Sequence, residues 1–273
     1  MSIWSEGDLQ FDDVRIHYYR TGAGEKPPLL LLHGFTDNGL CWSEAAQEWE
    51  GDFDIVLPDA RGHGLSSSSA SGNYRQRDMA EDAAALIRAL DLGPVRLGGH
   101  SMGAGVAAAV ASAWPELVRA VMLEDGGLFQ PRPQLTSSPE EAQEPFGWLV
   151  EARAQSLEER KAACRKNTGW SEVTVEPWAI SKDQLNAALL SVGPAPVVGE
   201  RPPLNILAAI RCPLLLVTSD PTRGAMITPE QAAQVLAAQP RARELHISEA
   251  GHCIRFDQPR VYAESVGEWL RQI

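Results

Sequence analysis

Basic side chains are in short supply: 24 Lys and Arg face 36 Asp and Glu, giving a net charge of −12 with no Lys/Arg run to offset it. A chain so charged repels phosphate backbones and anionic headgroups, which argues against a nucleic-acid or membrane-surface partner. No stretch reaches the roughly 20 apolar residues that cross a bilayer, and MSIWSEGDLQF has neither the basic start nor the apolar run of a secretion signal. A soluble, cytoplasmic protein is expected. Cysteine is equally sparse: Cys41, Cys164, Cys212 and Cys253 are scattered without a CxxC pair, so neither a disulfide framework nor structural zinc is expected. Clustered metal-ligand spacing, GxGxxG and Walker-type loops are also missing, so no metal and no cofactor are expected.

The 273 residues, 44% hydrophobic and 22% charged, suffice for one large core or a core carrying an insertion. Apolar runs bounded by Gly, Pro and Asp alternate with longer amphipathic stretches, the pattern of parallel strands joined by crossover helices. Pro28 to His33, Ile55 to Asp59, Val95 to Gly99, Val118 to Asp125 and Leu214 to Asp220 read as buried strands, and Glu244 to Ile247 as a short last one. Leu9 to Tyr19 reads as an antiparallel hairpin around Asp12-Asp13. Helices are expected over Ser43 to Trp49, Arg77 to Leu92, Met102 to Trp114, Pro229 to Ala238 and Arg260 to Ile273. The fold class is α/β, a mostly parallel central sheet flanked by helices.

Between about Leu128 and Asn205 the alternation stops, and helical segments such as Glu140 to Ala154, Leu157 to Asn167 and Gln184 to Leu190 dominate. The expected organisation is a core of residues 1–127 and 206–273 with a helical cap, residues 128–205, inserted after the sixth strand. Its Pro-rich edges suit hinges or surface loops.

Gly99-His100-Ser101-Met102-Gly103 follows the strand at Val95 and precedes an Ala/Gly-rich helix. A serine on a tight strand-to-helix turn needs flanking glycines because a Cβ there would strike the neighbouring strand and helix. The turn exposes Ser101 Oγ and leaves the Met102 N–H at a helix N-terminus, where a developing oxyanion is favoured.

These residues, with His33-Gly34-Phe35, Asp59-Ala60-Arg61-Gly62-His63-Gly64 and Gly251-His252 in that order along nearly the whole chain, resemble the α/β-hydrolase superfamily. The resemblance is to its cap-bearing branch, similar to bacterial carboxylesterases, lactonases and carbon–carbon bond hydrolases. It implies that Phe35 N–H is a second oxyanion donor beside Met102, and that His33, Arg61 and His63 shape loops without entering the chemistry. His252, after the last strand and next to a glycine, is the expected general base, since a serine hydroxyl barely ionises at neutral pH without one.

The acid departs from the family pattern. Relatives usually place an Asp three residues after a glycine at the end of the strand represented by Leu214 to Thr218; here Ser219 replaces the glycine and Thr222 holds the acid position. Asp220 lies two residues early, while Asp125 matches the position after strand six where some members keep the acid. Both stand as candidates, with Asp220 slightly preferred.

A serine rather than an aspartate on the elbow argues against epoxide hydrolysis and dehalogenation and points to acyl transfer. The expected function is cleavage of an ester-type bond in a small, fairly hydrophobic substrate. The alternatives are a slow-turnover ligand sensor, a cofactor-free perhydrolase and a carbon–carbon bond hydrolase. Phe129, Phe146, Trp148, Trp170 and Trp178 supply aromatic surface for substrate binding or for packing the cap. The only partner expected is a small-molecule substrate, with the chain as monomer or homodimer.

Overall fold

The computed structural model describes residues 4–126, 147–192 and 203–273. Eight strands form one sheet: β1 (Ser5–Phe11), β2 (Val14–Arg20), β3 (Pro28–Leu32), β4 (Asp54–Pro58), β5 (Val95–His100), β6 (Val118–Glu124), β7 (Leu214–Thr218) and β8 (Ala242–His246). Their order is β1-β2-β4-β3-β5-β6-β7-β8, with β1 and β2 antiparallel and every pair from β4–β3 onward parallel. Asp12, at φ +42, turns the β1–β2 hairpin so that Phe11 faces Val14.

The apolar runs are continuous because helices cover both faces of the sheet. Leu30, Leu32, Leu97, Val121 and Leu216 point into a cluster with α2 (Gln76–Ala89) and α3 (Met102–Ala113). The alternate residues Leu29, Leu31, Met122 and Leu215 point the other way, toward Trp42, α1 (Ser43–Trp49) and α11 (Pro259–Gln272). The core strands and helices lie within a few residues of their expected bounds.

Between β6 and β7 the described residues include α4 (Gly147–Ala154), α5 (Leu157–Thr168), α6 (Glu172–Gln184) and α7 (Ala187–Val192). Ser156 caps α5 through a reciprocal bond with Glu159, and Gly169 ends it at φ +74. Two features were not anticipated. The β-branched, proline-containing stretch EVTVEPW belongs to α6, which starts at its Ser171 cap and carries Pro177 inside it. A further helix, α8 (Pro203–Ala209), crosses the expected cap boundary at residue 205, and its Ile206 and Leu207 join the core cluster with α3. It therefore packs as a core element. The remaining helices are α9 (Pro229–Ala238) and a single turn, α10 (Ile254–Asp257), before α11. Among the described residues no helix is long and apolar enough to cross a membrane.

Candidate active site

Ser101 sits between β5 and α3 at φ +52, ψ −115, a backbone region costing a non-glycine residue about 1–3 kcal/mol. Close backbone packing holds it there. A Cβ on Gly99 would lie 2.2 Å from Gly103 O, one on Gly103 would lie 2.2 Å from Leu32 O, and Ser101 N–H donates to Glu124 O at 2.9 Å. Met102 opens α3, so its N–H has no intrahelical acceptor.

Asp125 follows β6 at φ +36 and is fully buried. That turn lets its carboxylate accept bonds from the backbone N–H groups of Met226 (2.8 Å) and Ile227 (2.9 Å) and from His252 Nδ1 (2.8 Å). Nδ1 thus carries the proton, and Nε2 is left as an acceptor. Gly126 follows: a Cβ on it would lie 3.2 Å from Ser101 Cα and 3.8 Å from His252 Cε1, so the Ser101 backbone and the imidazole both border this bare glycine. The structure brings Ser101, His252 and Asp125 together.

Asp220 is elsewhere, contrary to the preference expressed above. Its Oδ2 accepts from Glu249 N–H at 2.7 Å and its Oδ1 lies 3.3 Å from His246 Nε2. The β7 strand ends at Thr218 and a short 3-10 turn begins at Pro221, so the carboxylate braces the loop that leads to His252 without reaching the imidazole. Ser219, standing where the family has glycine, braces the same loop with its hydroxyl within 2.5 Å of Ile247 O and 2.7 Å of Ala250 O.

On the other side of Ser101 runs the loop 33–37. Ala60 N–H donates to His33 Nε2 at 2.9 Å, so the proton is on Nδ1, which donates to Gly34 O at 2.8 Å. Burial holds the His33 imidazole below its ordinary range and lowers His63 to about 3, His33 adding to the latter effect. Both rings are therefore neutral loop supports, and Arg61 is engaged by Asp82 at 2.6 and 2.7 Å. Asp37 N–H also donates to Gly34 O, at 3.2 Å.

Beneath the site lies a buried charged cluster that the sequence reading did not anticipate. Arg255 pairs with Glu124 at 3.2 Å and Asp37 at 3.5 Å; Lys182, from α6, reaches Asp37 at 3.2 Å. Burial raises the Glu124 carboxyl, against the pull of Arg255. His100 Nε2 lies 3.0 Å from His252 O, with the ring kept neutral, well below its ordinary range, by burial and then by Arg255. A signal for Lys182 was present: Val175, Ala179 and Lys182 recur at helical spacing and all three are buried, so a lysine occupies the apolar face of α6. The thiol of Cys253, next to His252 in the chain, is pushed well above its usual range by burial and then by Asp37, which leaves it protonated and unreactive.

Phe129 and Phe146 lie outside the described residues. Trp148 is 46% exposed; Trp170 donates to Asp257 at 2.7 Å and packs edge-on against Phe256; Trp178 stands 6.1 Å from the Trp170 ring. The contacts of Trp170 and Trp178 are thus with each other, with α10 and with Lys182. An apolar cavity of about 30 Å³ behind the elbow is lined by Leu32, His33, Met79, Met102 and Val106, but not by Ser101 or His252. Among the described residues no group of three or more His, Cys, Asp or Glu is placed to hold a metal ion.

Comparison with known proteins gives a consistent picture. The model of the alpha/beta hydrolase family matches residues 29–265. N-formylmaleamate deformylase of Pseudomonas putida is 29% identical over 97% of this chain and 96% of its own. Among solved structures, E-2-(acetamidomethylene)succinate hydrolase superposes with a TM-score of 0.81 at 20% identity, covering 98% of this chain and all of that one. A thermophilic esterase from Thermogutta terrifontis, with malate bound, gives 0.68 at 27% identity over 95% of this chain and 94% of its own.

Proposed function

The chain belongs to the alpha/beta hydrolase family, and from that premise we propose that it is a serine hydrolase that transfers an acyl group from a small substrate to water through an acyl-enzyme on Ser101. The observation that carries this reading is the 2.8 Å bond from His252 Nδ1 to the buried Asp125 carboxylate. It fixes the tautomer whose Nε2 can take a proton from Ser101 Oγ and offsets the positive charge that results.

In this mechanism Ser101 Oγ attacks the substrate carbonyl as its proton moves to His252 Nε2. The oxyanion is met by the N–H groups of Met102 and Phe35, donors whose loss typically costs about 3–4 kcal/mol each. The tetrahedral intermediate collapses as the imidazolium gives its proton to the leaving group. Water then loses a proton to His252, attacks the acyl-enzyme, and the acid departs while Ser101 regains its hydrogen.

Two bond classes fit. An ester-type bond is favoured by the likeness to the thermophilic esterase. A formyl or acyl C–N bond is favoured by the relative aligned over 97% of this chain, whose name is a deformylase. Turnover of p-nitrophenyl acetate set beside N-formylmaleamate separates the two, and labelling by a fluorophosphonate tests the shared mechanism. Ser101 is expected to be the labelled serine. Persistence of the label in Ser101→Ala would sink the proposal, and stoichiometric adduct formation without turnover of any substrate would favour a ligand sensor.

A further inference from the structure

Lys182 is fully buried, yet all its hydrogen bonds go to a single dipeptide of the loop beside the nucleophile. Nζ donates to Thr36 O at 3.0 Å, Thr36 Oγ1 at 3.2 Å and Asp37 Oδ1 at 3.2 Å, and the Trp178 ring covers it at 4.8 Å. Three donors on three acceptors leave none for a substrate. Lys182 is therefore no ligand for a bound carboxylate, and its effect on the site has to pass through the loop.

The path can be followed bond by bond. In a trans peptide the C=O and the following N–H point in opposite directions. Lys182 holds Thr36 O, which directs the Asp37 N–H of the same peptide the other way, onto Gly34 O at 3.2 Å. Gly34 O, fixed there and by His33 Nδ1 at 2.8 Å, turns the Phe35 N–H of its own peptide to the opposite side. Two peptide units in series thus connect an ammonium group on the cap to the N–H assigned to the oxyanion. Hydrogen-bonded amides in a chain polarise one another, so a cation at the far carbonyl makes the last N–H a better donor.

We propose that Lys182 is a positioning residue of the cap that aims and polarises the Phe35 N–H through the Thr36–Asp37 and Gly34–Phe35 peptides. The inference rests on the assignment of Phe35 as an oxyanion donor made above. It makes the cap a contributor to transition-state binding in addition to whatever it does for substrate. Thr36, at φ +69, is the residue through which the loop turns to present its carbonyl to Lys182.

The test compares wild type with Lys182→Met, which keeps the apolar stem and removes the charge and the donors, and with Lys182→Gln, which can offer a neutral donor. Folding is checked by circular dichroism and thermal melting. With p-nitrophenyl acetate, Lys182→Met is expected to lose about ten-fold or more in kcat/KM, short of the 10²–10³ for removing a donor outright. KM should stay within about twofold. A short alkyl trifluoromethyl ketone, whose adduct on serine carries the oxyanion, should lose affinity by the same factor, with Lys182→Gln in between. A folded Lys182→Met whose kcat and ketone affinity match wild type overturns the inference, as does a loss confined to KM. If Lys182→Met does not fold, Lys182→Gln carries the comparison and a wild-type ketone affinity there is equally fatal. Failure of wild type to bind the ketone would instead count against the serine-hydrolase reading itself, and if wild type turns over N-formylmaleamate but not the ester, the same comparison of variants is made with that substrate.

Discussion

At the scale of single residues the sharpest consequence concerns the two aspartates. In Asp125→Asn the amide would donate toward His252 Nδ1, favour the wrong tautomer and leave N–H rather than a lone pair facing Ser101. A loss of about 10⁴-fold in kcat is expected. Asp220→Asn keeps an acceptor for Glu249 N–H, so turnover within about tenfold of wild type is expected, with the imidazole slightly less well held. Steady-state rates of both variants decide this, and a large loss at Asp220 with Asp125→Asn near normal would reverse the assignment. Ser101 and His252, proposed as nucleophile and base, stand out in the sequence because glycines lie two positions to either side of Ser101 and one, Gly251, precedes His252. The acid does not stand out. Which carboxylate reaches His252 depends on the positive φ of Asp125 and on the N–H groups of Met226 and Ile227, about a hundred positions away, and neither leaves a local trace.

At the scale of elements, the elbow tolerates no added atom. Gly103→Ala would bring a Cβ to 2.2 Å from Leu32 O, a backbone atom of the sheet's middle strand. A destabilisation of about 3 kcal/mol or more is expected, read as a fall in melting temperature of roughly 10 °C; an unchanged melt would mean that α3 can slide away from β3. The helices between β6 and β7 give a different prediction. Because Trp178 covers Lys182, Trp178→Ala should slow p-nitrophenyl esters of every chain length by a similar factor. The exposed Trp148 is the better candidate for altering their rank order. A reordering caused by Trp178→Ala would show that its ring reads the acyl chain directly. The strands and core helices were legible because their apolar periods match their environment, buried on both faces or on one. The α6 helix was hidden by β-branched residues and a proline, and is held by contacts far away in sequence, Ser171 and Thr174 on Glu44 among them. Likewise α8 has too few residues to show a period, and its packing on α3 reveals its allegiance only in three dimensions.

At the scale of the whole molecule, burial of neutral imidazoles ties stability to pH. Folded His63 stays unprotonated down to about 3, while in the unfolded chain it charges below about 6.5. Between these values the unfolded state binds a proton that the folded state refuses, so this contribution is intact at neutral pH and shrinks as the pH falls. Replacing His63 by Gln removes the term. The stability gap between wild type and His63→Gln should therefore narrow by about 1.4 kcal/mol per unit between pH 6 and 4, measured by urea unfolding. A gap that stays constant would place His63 in contact with solvent.

The buried cluster also bears on how the chain is made. Arg255 neutralises Asp37 and Glu124, partners 218 and 131 positions earlier. On the ribosome Glu124 emerges long before this cation, and closing the middle of the sheet over it unpaired would cost several kcal/mol, whereas Asp37 also has the earlier Lys182. The segment that delivers Arg255 also delivers His252, three residues before it. A nascent chain can thus have its nucleophile translated for more than a hundred residues while the sheet that should strain and activate it stays loose. The residue that neutralises Glu124 and the imidazole that pairs with Asp125 thus arrive in one segment, so closure of the sheet's middle and completion of the Asp125–His252 pair are tied to the same stretch of chain.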